Sequence, residues 1–329
     1  SGCDYHRIAL PFRYGGEYVD NAAFYAARGD MDKLFSAAEV IVWNRLFPFG
    51  WASEVPNKHG VKTIVDLDDY WALYPNHYLY QTYLKQRIPE KIIKTIQSAD
   101  AVTVTAPRLA DKVRPHNKNV YVIPNALPFG HGQFVPNRKE SDVFRFLYPG
   151  QRSHMYDARI LRGPLQRLAS DNNRKVGVIL AGYSPHDKSG IWADMCRTMS
   201  AGGKMKNYQT IDQLPLDEYM SIYDQADAVL VPLENNTFNH HKSNLKIIEA
   251  ASRKLPVICQ KVPPYSDCDA PVLWVETQTD WYKHMKFLAD NPQAGIELGE
   301  RLYGWALTHH NLFVQNKFRF DLYAHIVNS

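Results

Sequence analysis

Short runs of β-branched and aliphatic residues recur along this chain between longer helical stretches, and that feature narrows the fold more than any other. EVIVWNRL, KTIVDLDD, AVTVTA and VYVIPN fall in the first part, and FRFLYPG, KVGVILAG, AVLVPL, LPVICQ and PVLWVE in the second. None alternates polar with apolar residues. Each therefore reads as a strand buried on both faces, as in a parallel sheet covered by helices. The expected class is α/β. At 329 residues the chain exceeds one ordinary domain of ~100–200 residues, so two domains are expected.

The boundary is expected between Leu127 and Asp142, where PFGHGQFVPNRKES has neither helical nor strand period and is rich in Pro, Gly and polar residues. This gives an N-terminal domain over 1–130, a linker over 131–142 and a C-terminal domain over 143–309. The stretch 310–329 is expected to form a last helix that packs back on the first domain. Near the start, YHRIALPF reads as a helix without the strand that should precede it, so the domain's first strand is expected upstream of Ser1. Gly2 then lies either in a plain turn or at a strand–helix junction whose backbone amides suit an anion.

With 45% hydrophobic and 22% charged residues, a disordered or collagen-like chain is excluded. Cys3, Cys196, Cys259 and Cys268 form no CxxC pair and no regular spacing, which argues against a zinc site or a disulfide framework and for a reducing compartment. No apolar run approaches the ~20 residues that cross a bilayer, and no signal-like segment opens the chain. A cytoplasmic protein with no transmembrane segment is expected. The net charge of +4 suits an anionic ligand without selecting one.

The segment AVLVPLENNTFNHHKSNLKIIEAASRKLPVICQ, residues 228–260, reads strand, loop, helix, strand. Its loop from Glu234 to His241 is unusually polar, as expected of a connection at the ligand-binding end of a sheet. Lys242, Lys246 and Glu249 stand at i, i+4 and i+7, which puts them on one face of the predicted helix. Ser243 and Asn244 are N-cap types, and free backbone amides beneath them suit a diphosphate; Leu245, on the apolar face, is counted with this donor set. A carboxylate further along suits ribose hydroxyls. Otherwise Lys246 and Glu249 make an ordinary surface pair.

In the first domain, Asp66, Asp68 and Asp69 end a predicted strand. Their spacing matches a metal motif of a different fold; the alternative is an N-cap for a helix over YWALYP. The aromatic stretch YWALYPNHYLYQTYLKQR suits core and rim, or stacking on a sugar, a lipid or a base.

The order and spacing of Asp227, Phe238-Asn239, Lys242-Ser243, Lys246, Glu249-Ala250 and Pro256-Val257-Ile258, with VYVIPNAL, FLYPGQRSHMYDARIL and IVDLDDYW, resemble the group 1 (family 4-like) retaining GT-B glycosyltransferases. The resemblance implies two Rossmann-like α/β domains with parallel sheets facing a central cleft. It implies metal-independent transfer, with retention, from a UDP- or GDP-sugar to a cell-surface or lipid-linked glycan, with no cofactor beyond that co-substrate. Glu249 matches the second glutamate of the E-x7-E signature, which holds the ribose, and the first falls at His241. Arg152 matches the basic residue that binds the diphosphate, with His154 beside it, and Lys246 or Lys242 stands in for a second. Asp68 falls near a residue that contacts the donor sugar. Asp68, Arg152 and Lys246 are thus the catalytic candidates.

Two other readings remain open: a DNA-modifying glycosyltransferase acting on a hydroxylated base, for which KQRIPEKIIK and RPHNK supply charge, and a nucleotide-sugar epimerase or non-catalytic nucleotide-binding module on the same architecture. An oxidoreductase is disfavoured, since no GxGxxG follows a strand.

Overall fold

The computed structural model describes residues 2–19, 36, 38–46, 59–137, 141–171 and 175–329; residues 138–140 of the expected linker lie outside these. The chain divides into two compact units, one of Ser1–Ala126, Asn236–Ser243 and His310–Ser329, the other of Leu127–Asn235 and Asn244–His309.

In the first unit a helical run over Gly2–Arg13 accompanies a parallel sheet of β1 (Val40–Asn44), β2 (Lys62–Leu67), β3 (Ala101–Val104) and β4 (Val120–Val122), in that order. Helices α1 (Tyr80–Lys85), α2 (Ile88–Ser98) and α3 (Pro107–Val113) connect the strands. Successive strand residues point to opposite faces. Val65, Leu67, Val102 and Val104 pack with Ile92, Ile96, Leu109 and Val113, whereas Ile64 and Ala101 pack with Phe320, Tyr323 and Ile326. The sheet is thus apolar on both sides, as the unalternating runs require. No helix forms over YWALYP: after β2 the next helix begins at Tyr80. Pro75 disfavours helical backbone at the residue before it, so the Asp68-Asp69 pair caps no helix.

The second unit has a parallel sheet of β5 (Phe144–Pro149), β6 (Val176–Tyr183), β7 (Asn207–Asp212), β8 (Ala228–Val231), β9 (Val257–Gln260) and β10 (Leu273–Val275), ordered β10-β9-β8-β5-β6-β7. Helices α4 (Met155–Arg159), α5 (Arg162–Ala169), α6 (Ile191–Met199), α7 (Leu245–Ser252), α8 (Gln278–Asp290) and α9 (Pro292–His309) belong to it, and α10 (Leu312–Val327) belongs to the first unit. Trp281, Met285 and Leu288 of α8 join Leu165, Leu168, Val178, Leu180, Leu230 and Ile258 in one core.

Candidate functional site

In the six-stranded sheet the chain order reverses between β5 and β8, and an open parallel sheet binds ligands beyond the carboxyl ends of its strands at such a reversal. Beyond β5 the chain turns through Arg152–His154 into α4. Beyond β8 it passes through Glu234. Asp157, in the first turn of α4, ties the two segments together: its Oδ1 accepts the Glu234 amide at 2.7 Å and its Oδ2 pairs with His154 Nδ1 at 2.7 Å. Burial alone would raise the Asp157 pKa, but His154, Lys246 and that amide together hold it below the usual carboxylate range.

Tyr148, fully buried at the end of β5, donates its hydroxyl to the His154 carbonyl at 2.9 Å, and its ring lies 5.6 Å from Lys246 Nζ. Arg152 pairs with Asp187 at 3.0 Å and stays 43% exposed. Gly182 lets the end of β6 come this close. Its φ is +89°, and a Cβ there would stand 2.5 Å from the Gly150 carbonyl oxygen, on the turn that carries Arg152 and His154.

Helix α7 begins at Leu245, with Asn244 at the N-cap and no capping bond from its side chain. Lys242 lies before the helix, in extended backbone at ψ 177°. It therefore does not share a helical face with Lys246 and Glu249; it belongs with Ser243 and His241 to the segment that joins the first unit. Lys246 and Glu249 are no surface pair either. Glu249 is buried, and its Oε2 accepts the Tyr223 hydroxyl at 2.7 Å. The Tyr223 ring meets Tyr219 edge-on at 6.1 Å. Burial, then the Glu249 charge, push both phenols well up, so they remain donors.

The first unit gathers its own charged cluster beyond β1 and β2. Arg45, at φ 58°, donates Nε to Asp68 at 2.9 Å and Nη2 to Asp69 at 2.8 Å. Burial opposes the Arg45 charge, but the two carboxylates outweigh it. Lys242 Nζ lies 3.5 Å from Asp69 and 4.7 Å from the Phe238 ring centroid. Burial, then Lys242, pull His77 down to about 4. His241 Nδ1 lies 2.6 Å from the Thr237 carbonyl, which can only accept, so Nδ1 carries the proton. Burial lowers the His241 pKa. The ring is thus a neutral group with Nε2 as acceptor, 4.8 Å from Tyr70.

Gly2 opens the N-terminal helical run, and Cys3 Sγ lies 3.8 Å from Arg45 Nη2. Ser243 Oγ accepts Asn125 Nδ2 at 2.8 Å, and Asn125 Oδ1 accepts Arg7 Nη1 at 3.1 Å. Arg7 in turn forms a two-pronged pair with Asp66, at 2.8 Å on each prong. The candidates therefore fall into two groups, Arg152, His154, Lys246 and Glu249 in one unit and Asp68, His241, Lys242 and Ser243 in the other. The sequence reading did not single out Asp157, Tyr223, Arg45 or Arg7; only Asp157 has a local signal, the i, i+3 spacing from His154 at a helix start.

No protein-family model matches the chain, and a comparison with curated proteins finds no match. Solved structures do match. Sucrose-phosphate synthase from Thermosynechococcus elongatus superposes with a TM-score of 0.64 at 16% identity, covering 92% of this chain and 80% of that one. HepE of Anabaena, in complex with UDP, gives 0.66 at 12% identity, with 90% and 81% covered. A UDP-forming α,α-trehalose-phosphate synthase from Burkholderia xenovorans gives 0.60 at 12% identity, with 100% and 84% covered. These likenesses bear on the fold: with its four- and six-stranded parallel sheets, the chain has the GT-B fold.

Proposed function

We propose that this chain is a glycosyltransferase that moves a sugar from a nucleoside diphosphate-sugar, of UDP or GDP type, to a glycan or lipid-linked glycan, with retention and without a metal. The observation that carries this reading is the reversal point of the six-stranded sheet, where Arg152 and His154 follow β5, Lys246 of α7 lies near Tyr148 and acts on Asp157, and a buried carboxylate follows three residues after Lys246. Cations and a helix start suit a diphosphate. Glu249, held by Tyr223, suits ribose hydroxyls. UDP, UDP with glucose, and UDP-glucose are bound in the HepE structures, which favours a uridine nucleotide here.

In the proposed reaction the bond from the anomeric carbon to the β-phosphate oxygen breaks and a bond to the acceptor oxygen forms. The acceptor proton passes to the departing phosphate, while Arg152, Lys246 and the α7 amides stabilise the negative charge that develops there. Asn244 and Leu245, at the start of α7, complete the proposed donor set of this unit.

Calorimetric titration with UDP, GDP and their sugars, in EDTA, tests the reading. One nucleotide is expected to bind, with Kd raised about tenfold to a hundredfold in Glu249→Ala, the scale of losing hydrogen bonds to a charged group at ~1.5–3 kcal/mol. Tyr223→Phe is expected to raise it less, by about fivefold, since one neutral bond is worth ~1 kcal/mol. Unchanged affinity in Glu249→Ala would sink the ribose assignment, and no binding by any nucleotide would sink the donor site.

A further inference from the structure

Asp157 has no task in the donor reading, yet it ties together the segments that follow β5 and β8. Its side chain is 5% exposed. Burying a carboxylate costs several kcal/mol unless it is compensated. Here the compensation comes from three segments: His154 before α4, the Glu234 amide after β8, and the Lys246 charge on α7.

The charges can be counted. Arg152 and Asp187 form one neutral pair. Asp157 and Lys246 offset each other, and His154 is the imidazole that Asp157 holds. Glu249, three residues after Lys246, and Glu234 bring two further carboxylates to these segments, and protonation of His154 raises the charge of the set by one unit. Tyr148 donates its hydroxyl to the His154 backbone carbonyl. The ring of His154 keeps 19% of its surface in solvent, while Asp157 holds Nδ1 from the buried side. A carboxylate within hydrogen-bond reach stabilises imidazolium over imidazole, and Lys246 opposes it. A diphosphate arriving at this cluster adds negative charge and tips that balance.

We infer that a nucleoside diphosphate binds this site together with one proton, taken up by His154 and held in place by Asp157. The inference rests on the donor reading above and extends it: Asp157 is a positioning residue, and donor affinity becomes pH-dependent through one imidazole. Above the ordinary histidine range near pH ~6.5, the bound state carries one more proton than the free state. Linkage then makes affinity fall by up to about tenfold per pH unit. The phosphate's own second ionisation, near pH ~6, acts with the opposite sign, because protonated phosphate offers less charge. It is therefore separable.

The test is isothermal titration of the full chain with UDP between about pH 6 and 9, in two buffers of different ionisation enthalpy, which counts protons directly. Wild type is expected to take up close to one proton near pH 8, with affinity falling as pH rises. His154→Gln is expected to take up none there and to show a flat profile above pH 7; Asp157→Asn is expected to lower the uptake. Equal uptake in wild type and His154→Gln overturns the inference, as does wild-type binding with no uptake, a result that needs no variant and leaves the donor reading standing. If wild type binds neither UDP nor GDP at any pH, the donor reading falls and this inference with it.

Discussion

Replacing Asp66 by alanine is expected to destabilise the four-stranded unit by about 3–5 kcal/mol, the cost of stripping one partner from a buried ion pair. Arg7 and Asp66 are each 1% exposed. Two guanidinium nitrogens of Arg7 reach the carboxylate at 2.8 Å, Thr103 Oγ1 donates to the same carboxylate at 2.6 Å, and Arg7 Nη1 donates to the Ile123 carbonyl at 2.7 Å. A second guanidinium lies close by. Arg319 is 1% exposed, and burial, with Arg7 working in the same direction, lowers its pKa to about 10. Without Asp66, both cations lose the carboxylate that faces them. Urea denaturation followed through Trp43 and Trp71 of this unit measures the effect. A loss below about 1 kcal/mol would show that water reaches Arg7 at little cost. The double variant Arg7→Met with Asp66→Leu is expected to recover the part of the stability lost through Arg7, since apolar residues of similar volume often replace a buried pair without loss, while Arg319 still lacks the carboxylate.

Trp281→Ala is expected to cost the six-stranded unit about 3–5 kcal/mol, as large-to-small changes at fully buried aromatic positions do. Trp281 is fully buried on α8, in the cluster of Leu165, Leu168, Met285 and Ile258, and its Nε1 donates to Gln260 Oε1 at 3.3 Å. Alanine leaves a cavity beneath β9 and β10 and removes the donor from Gln260. Trp281→Phe is expected to cost less, because a six-membered ring still fills most of the site and only the hydrogen bond and part of the packing are lost. Thermal denaturation of both variants gives the order; a phenylalanine variant as unstable as the alanine one would place the loss in the hydrogen bond instead of the cavity.

The strands were legible because burial on both faces demands apolar runs, and Ile64-Val65 or Val229-Leu230 has no polar residue to hide. Strand β7 was missed for the same reason in reverse. It pairs only with β6, at the edge of the sheet, so NYQTID leaves its side chains half-buried or exposed and carries no such run. Helix α7 was legible as a helix, but its first turn was not. Two cap-type residues stand side by side, and Asn125, 118 positions earlier, engages Ser243, leaving Asn244 at the cap. Helical spacing aligned Lys246 with Glu249, yet it could not show that Tyr223 draws Glu249 inside. Likewise Asp66, Asp68 and Asp69 read as one acidic motif. Arg7 takes the first and Arg45 the other two, partners whose pairing depends on how β1, β2 and the N-terminal helical run come together.

The first unit is drawn from three separate stretches of chain, with α10 as the last. Phe320, Tyr323 and Ile326 of that helix cover Ile64, Ala101 and Ile123, and His310 Nδ1 bonds the Asn125 carbonyl at 2.8 Å. A ribosome making this protein therefore releases β1 to β4 long before this part of their cover exists. One side of the nascent sheet must wait, covered only in part by the N-terminal helical run, through the synthesis of the whole second unit. Stop codons anywhere in that second unit then harm both units together, since every product that lacks α10 leaves Ile64, Ala101 and Ile123 without Phe320, Tyr323 and Ile326.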